Sequence, residues 1–216
     1  MFTTFGSKRA RLLLAVAILC AAMPAGAKAP IITTFDVPGA GEAAGQGTLA
    51  LSTNGRGTTM GYYLDASNMY HAFLRAKNGS TTTIDVPGAG TAVFQGTVAF
   101  GLNSAGAVAG YYIDASYLRH GYLRAADGTI TTFDVPGSTQ TRALNINPTG
   151  VILGSWRGAS GVNHGFVRDV DGTITTFDAP GAGTGNGQGT LSASVSGLNQ
   201  DGAAVLVQAM ALMAGY

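Results

Sequence analysis

Cysteine is nearly missing. The 216 residues hold one, Cys20, and it lies inside an N-terminal apolar run. Beyond that run no disulfide and no thiol chemistry is available. Histidine is limited to three residues and tryptophan and glutamate (Glu42) to one each. Charge is scarce, with 12 Lys and Arg against 11 Asp and Glu. No stretch sustains a helical period, which excludes a helix bundle. Gly-x-Ser-x-Gly and His-Glu-x-x-His do not occur, which removes the hydrolase and zinc-protease readings that rest on them. Glycine is plentiful, yet 33 Gly and 7 Pro stay below the roughly 25–30% that marks a low-complexity chain.

Residues 1–27 read as a secretory signal peptide. Lys8, Arg9 and Arg11 form the basic region, Leu12 to Met23 the apolar run, and Ala25-Gly26-Ala27 the small-residue cleavage site, with Lys28 as the expected mature start. The run is too short for a membrane span. Paired arginines of the twin-Arg type are absent, so the general secretion route is expected. Cys20 follows Leu19 rather than a small residue and is not read as a lipid anchor. The mature chain is expected to be secreted, extracellular or periplasmic, with no membrane span. Cleavage takes three of the 12 basic residues and leaves nine against 11 acidic, a net of −2. No basic stripe remains to bind nucleic acid.

What is present is a repeat. The phrase Ile130-Thr-Thr-Phe-Asp-Val-Pro-Gly137 has variants ending at Gly39, Gly88 and Gly181. Its aspartates, Asp36, Asp85, Asp134 and Asp178, are spaced 49, 49 and 44 residues apart. A period of this length points to a stacked array of small modules. Each module reads as four short strands rich in Val, Ile, Thr, Tyr and Phe. In the second they are Gly96–Asn103, Ala107–Asp114, His120–Ala125 and Thr129–Val135, with Asp127-Gly128 as a hairpin signal. The expected fold is all-β: a propeller-like array of four-stranded antiparallel blades, about 49 residues per repeat. Three complete units are expected at about 46–86, 95–135 and 140–179. A partial unit at 188–216 and a lone strand at 31–37 complete the repeat domain, 28–216. Mid-strand Gly61, Gly110 and Gly154 point to close backbone approaches.

His71-Ala72-Phe73, His120-Gly121-Tyr122 and His164-Gly165-Phe166 recur in register with these phrases. In this respect the chain resembles the bacterial extracellular HAF-repeat proteins, over about residues 31–202. The resemblance implies secretion and a repeated β architecture. It implies no catalytic residue.

The three histidines invite a metal reading, but equivalent positions on neighbouring sheets stand about 10 Å apart, too far to share one ion. They are read as structural hydrogen-bonding groups, with Asp65 or Asp114, six residues upstream, as partner. Gly158 removes that partner from the third unit. Asp36, Asp85, Asp134 and Asp178 are read as turn braces bonding nearby backbone N–H groups. Gly39-Ala-Gly41 and Gly181-Ala-Gly183 have a weak likeness to a phosphate loop, but lead from strand to strand rather than into a helix. No cofactor is implied.

The sharper signal lies where the repeat breaks. Arg142 stands where Leu49 and Val98 stand elsewhere, and Trp156-Arg157 where Tyr63-Leu64 and Tyr112-Ile113 stand. If Asn147–Gly150 is a turn, Arg142 lies opposite Ser155 with Arg157 further along the same face. Two like charges there suit an anion or acidic-sugar subsite. The plainer reading weighs more: an ion pair with Asp169 or Asp171, or exposure at a blade edge. Trp156 points to the other face and reads as core. The functional expectation is a secreted or surface, non-enzymatic module binding a glycan, polymer or protein. The alternative is a polysaccharide-active enzyme on a propeller, which needs two nearby carboxylates outside the repeated framework.

Overall fold

A computed structural model describes residues 32–191 and the pair 207–208. The signal segment and the rest of the partial fourth unit lie outside the described residues. The chain divides into two compact units, Met1–Phe35 and Asp36–Tyr216. The second carries the fold.

Every described element is a strand and no helix occurs among the described residues. Unit one is β1 (Gly47–Thr53), β2 (Thr59–Leu64), β3 (Tyr70–Arg75) and β4 (Thr81–Ile84). Unit two is β5 (Gly96–Leu102), β6 (Val108–Ile113), β7 (Arg119–Arg124) and β8 (Ile130–Phe133). Unit three is β9 (Gln140–Ile146), β10 (Ile152–Arg157), β11 (Asn163–Arg168) and β12 (Ile174–Phe177). Within each unit the strands pair antiparallel in chain order. Consecutive units touch through one parallel pair, Tyr70↔Gly96 and then Arg119↔Gln140. The result is one 12-stranded, mostly antiparallel sheet. β13 (Thr190–Leu191) and β14 (Val207–Gln208) pair separately, where the fourth unit's first two strands were expected.

The lone strand expected at 31–37 is corrected: residues 32–37 form no ladder. The counterparts of this phrase pair with the third strand of their own unit, and no such strand precedes it among the described residues. A strand without a partner leaves its backbone groups to water. The phrase is still used. Val37 N–H donates to Thr48 Oγ1 at 2.9 Å, as Val86 does to Thr97, Val135 to Thr141 and Ala179 to Thr190. Each unit's closing phrase is thus clipped to the first strand of the next.

The apolar core lies between consecutive units. One cluster joins Met60, Ala72 and Ile84 of the first unit to Ala99, Val108 and Tyr122 of the second. Another joins Ala109 and Val135 of the second to Ala143, Ile152 and Phe166 of the third. The middle strands of the second unit are therefore covered on both faces, Val108 and Tyr122 meeting the first unit and Ala109 and Leu123 the third, which explains near-continuous apolar runs such as β6. The fourth strands are short and expose their Thr-Thr pairs, a polar and blunt edge.

Each first strand carries one extra residue, Leu51, Phe100 or Leu144, where the register slips. Opposite it stand Gly61, Gly110 and Gly154. A Cβ on any of them would collide with the carbonyl oxygen of Leu49, Val98 or Arg142. This is the close approach expected from sequence.

A second ladder runs through the turns. Asn54, Asn103 and Asn147 each accept, at Oδ1, the N–H four residues on. Asn54 Nδ2 donates to Asn103 O and Asn103 Nδ2 to Asn147 O, so the turns of successive units are tied together. Side-chain caps of this kind satisfy backbone groups that no ladder reaches.

Candidate functional site

The hairpin register explains the recurring His and Asp. β7 and β8 pair Arg124↔Ile130 through Gly121↔Phe133. One step further along, His120 faces Asp134. Its Nδ1 donates to Asp134 Oδ2 at 2.8 Å. His71 does the same to Asp85 and His164 to Asp178, each at 2.8 Å. The reading of Asp85, Asp134 and Asp178 as turn braces is corrected: their carboxylates accept from an imidazole across the hairpin. The hairpin register sets each carboxylate directly across from its imidazole. Asp36 has no described hairpin partner of this kind.

The second imidazole nitrogen finds the partner expected from sequence. His120 Nε2 lies 3.3 Å from Asp114 Oδ2, and His71 Nε2 lies 3.6 Å from Asp65 Oδ2. In the third unit Gly158 stands at that position. Asp65 and Asp114 also brace their loops, accepting from Ser67 and Met69, and from Ser116 and Leu118. Each imidazole stacks on a ring of the second strand: Tyr63 on His71 and Tyr112 on His120 at 4.9 Å, Trp156 on His164 at 4.4 Å. Trp156 also packs against the second core cluster.

Burial alone would lower the His120 pKa, but Asp134 and Asp114 outweigh it and raise it. Burial works to raise Asp65 and Asp114, yet the backbone N–H donors and the imidazole hold both below the usual carboxylate value. A raised imidazole stabilises the fold fully below its unfolded value of about 6.5 and loses that contribution as pH rises through the folded value. The depressed carboxylates stabilise above about pH 4 and lose their contribution on acidification. The urea midpoint is therefore expected to be highest between these limits and to fall from pH 6 toward pH 9. The fall should stay below about 1 kcal/mol for such partly exposed pairs. Asp134→Asn should reduce that alkaline fall, which a pH series of urea melts would read.

The Gly-Ala-Gly stretches also have a structural cause. Gln46, Gln95 and Gln188 accept at Oε1 from Ala43, Ala92 and Gly185. Gln46 and Gln95 also donate to Ala66 O and Ala115 O, pinning the two loops at one end of a unit together. A Cβ at Gly41, Gly90 or Gly183 would strike the glutamine side chain. These glycines make room for a clamp. The third unit has lost five residues here, and its Gln140 instead accepts from Arg119 Nη1 at 2.8 Å.

The two arginines singled out from sequence lie as the register requires. Arg142 pairs with Ser155, with Arg157 two residues along the same strand. The ion pair with Asp169 or Asp171 does not form: Asp169 Oδ1 accepts from Val170 N and Asp171 Oδ1 from Thr173 N, each within its own turn. Arg157 Nε donates to Asn163 Oδ1 at 3.3 Å. The Nε of Arg142 is buried and has no hydrogen-bond partner among the described residues.

The structure adds groups that the sequence reading passed over. Arg119, at the start of β7, stands where Tyr70 and Asn163 stand in the other units. Its guanidinium lies 5.8 Å from the Tyr111 ring centre. Tyr62, Tyr70, Phe94, Tyr111 and Arg119, with Val98 and Ile113 beneath, line a cleft of about 120 Å³. Tyr62 and Tyr70 meet edge to face at 5.6 Å, and Phe100 stacks on Tyr111 at 5.6 Å. Burial lowers the Arg142 pKa, and Arg119 and Arg157 lower it further while Tyr111 raises it. No described carboxylate is among the groups acting on Arg142. The signal in the sequence was the departure from repeat at position 119, in strand three rather than in the first two strands.

Among the described residues no group of three or more His, Cys, Asp or Glu is arranged to hold a metal ion. No described helix is long and apolar enough to cross a membrane. No family model, curated protein or solved structure matches the chain.

Proposed function

We propose that the chain is a secreted or cell-surface, non-enzymatic binding module. Its four-stranded units would stand as successive blades of a propeller-like array, akin to the HAF-repeat proteins it resembles. The reading rests on how side chains are used. The recurring polar residues bond within and between units: His on Asp, Thr on the closing phrase, Asn on Asn, Gln on the loops. The aromatic cleft is unrepeated, open, and bordered by residues that break the pattern. Unique side chains on a repeated scaffold are where binding specificity is carried. The depressed Asp65 and Asp114 also suit bracing rather than proton donation, since a general acid needs a raised carboxyl.

The test is a screen of the chain against immobilised polysaccharides and extracellular proteins. Saturable retention of a polymer recovered at its original length is expected. Shortening of the retained polymer, read as new reducing or unsaturated ends, would replace this reading with an enzymatic one.

A further inference from the structure

We infer that the cleft and the adjoining arginines form one site for an anionic sugar unit of a polysaccharide, its carboxylate or sulfate held by Arg119, Arg142 and Arg157 and its ring resting on Tyr70 and Phe94. The inference rests on the binding reading above and names its ligand class.

Three observations converge. The first is charge. Arg119 and Arg157 flank Gln140 of β9 from the two neighbouring strands, Arg142 lies two residues along β9, and both outer guanidiniums lower the Arg142 pKa. The Nε atoms of Arg119 and Arg142 are buried without partners among the described residues. Guanidinium groups in this state suit a planar oxyanion that accepts two parallel hydrogen bonds. The second is the aromatic wall. Tyr70 and Phe94 lie 6.2 Å apart and tilted by 40° at the cleft rim. Their electron-rich faces match the polarised C–H face of a pyranose.

The third is backbone strain. Phe94 holds φ at +60° and is 52% exposed. The matching positions in the first and fourth units are Gly45 and Gly187, at +84° and +80°. A bulky residue seldom adopts this conformation. A neighbouring aromatic does the same: Tyr117, at +62°, stands where the first unit has Asn68 and the third Gly161. Its hydroxyl donates to Val93 O beside Phe94. Strain at two exposed aromatics in one unit, where glycine or asparagine serves elsewhere, is retained for a reason other than folding.

Single-stranded nucleic acid also combines stacking with phosphate. The mature chain's net charge of −2 disfavours it, because nucleic-acid affinity depends on a wide field of neutralising Lys and Arg.

Calorimetry of the mature protein with oligogalacturonate, dextran sulfate, neutral dextran and oligo-dT tests the inference. At least one acidic oligosaccharide should bind, more weakly as salt rises, and neutral dextran should not. Arg119→Gln with Arg157→Gln should weaken binding by about tenfold or more. Phe94→Gly should also weaken it while the melting temperature stays level or rises, since glycine relieves the strain. Arg142→Gln is the riskier variant, because the Arg142 Nε is buried in mid-strand, and the other two variants decide the matter without it. Tighter binding of oligo-dT would overturn the inference. So would acidic-sugar binding unchanged in the arginine and Phe94 variants. If a neutral glycan or a protein binds instead, the ligand class fails while the binding reading stands. If nothing binds in this series or in the wider screen, both fail.

Discussion

Phe166→Ala will cost about 3–5 kcal/mol of stability. Phe166 lies in β11, fully buried, between the second and third units. Its ring meets Phe133 edge to face at 6.1 Å and lies over Gly154, which has no side chain to fill a vacancy. The surrounding backbone is held in the β10–β11 and β11–β12 ladders and cannot collapse into the hole. The loss therefore includes both the transfer free energy of the ring and the cavity left behind. For a chain of this size the melting temperature should fall by on the order of 10 °C. A loss under about 1 kcal/mol in chemical denaturation would mean that the ring does not fill the space between the units.

Gly110→Ala should be about as damaging, for the opposite reason. The new Cβ would meet the Val98 carbonyl oxygen and lie 2.7 Å from Tyr122 Cε1. A rotamer change could move the tyrosine only if the core around it opened, and Tyr122 is fully buried. The carbonyl cannot move without breaking the β5–β6 register at the extra residue Phe100. Overpacking costs about 1–3 kcal/mol where side chains can adjust, and the upper end or more is expected against fixed backbone. Gly55→Ala is the control: nothing lies within 4 Å of its added Cβ. It should shift the denaturation midpoint by no more than about 0.5 kcal/mol. Equal effects at the two positions would refute the close approach.

Short strands between Gly-containing turns were legible in the sequence, because strand residues and turn residues differ sharply in type. The mid-strand glycines were legible as close approaches. Their cause, an extra residue in each first strand, was not, since a bulge leaves the local composition unchanged. Asp65 and Asp114 were correctly placed beside the histidines because the contact is local. Asp134 was not, although the hairpin centred on Asp127-Gly128 sets it opposite His120. That partner is found only by counting outward from the turn. The Gln46 and Gln95 clamps were missed because their contacts cross two loops some 20 residues apart. Arg142 and Arg157 stood out as interruptions of an apolar column. Arg119 did not, because its column is already polar in the other units. Residues 1–27 and most of 188–216 fall outside the described structure, so the export segment and the partial fourth unit stay expectations.

The clip between each closing phrase and the following threonine has a practical consequence for anyone re-engineering the array. In copies spliced at the Pro-Gly boundary, every clip would have to re-form across a seam. Seams placed inside the Asp127-Gly128 and Asp171-Gly172 bends would instead keep each clip whole. Chimeras of that second design should assemble at lengths where the first kind precipitates.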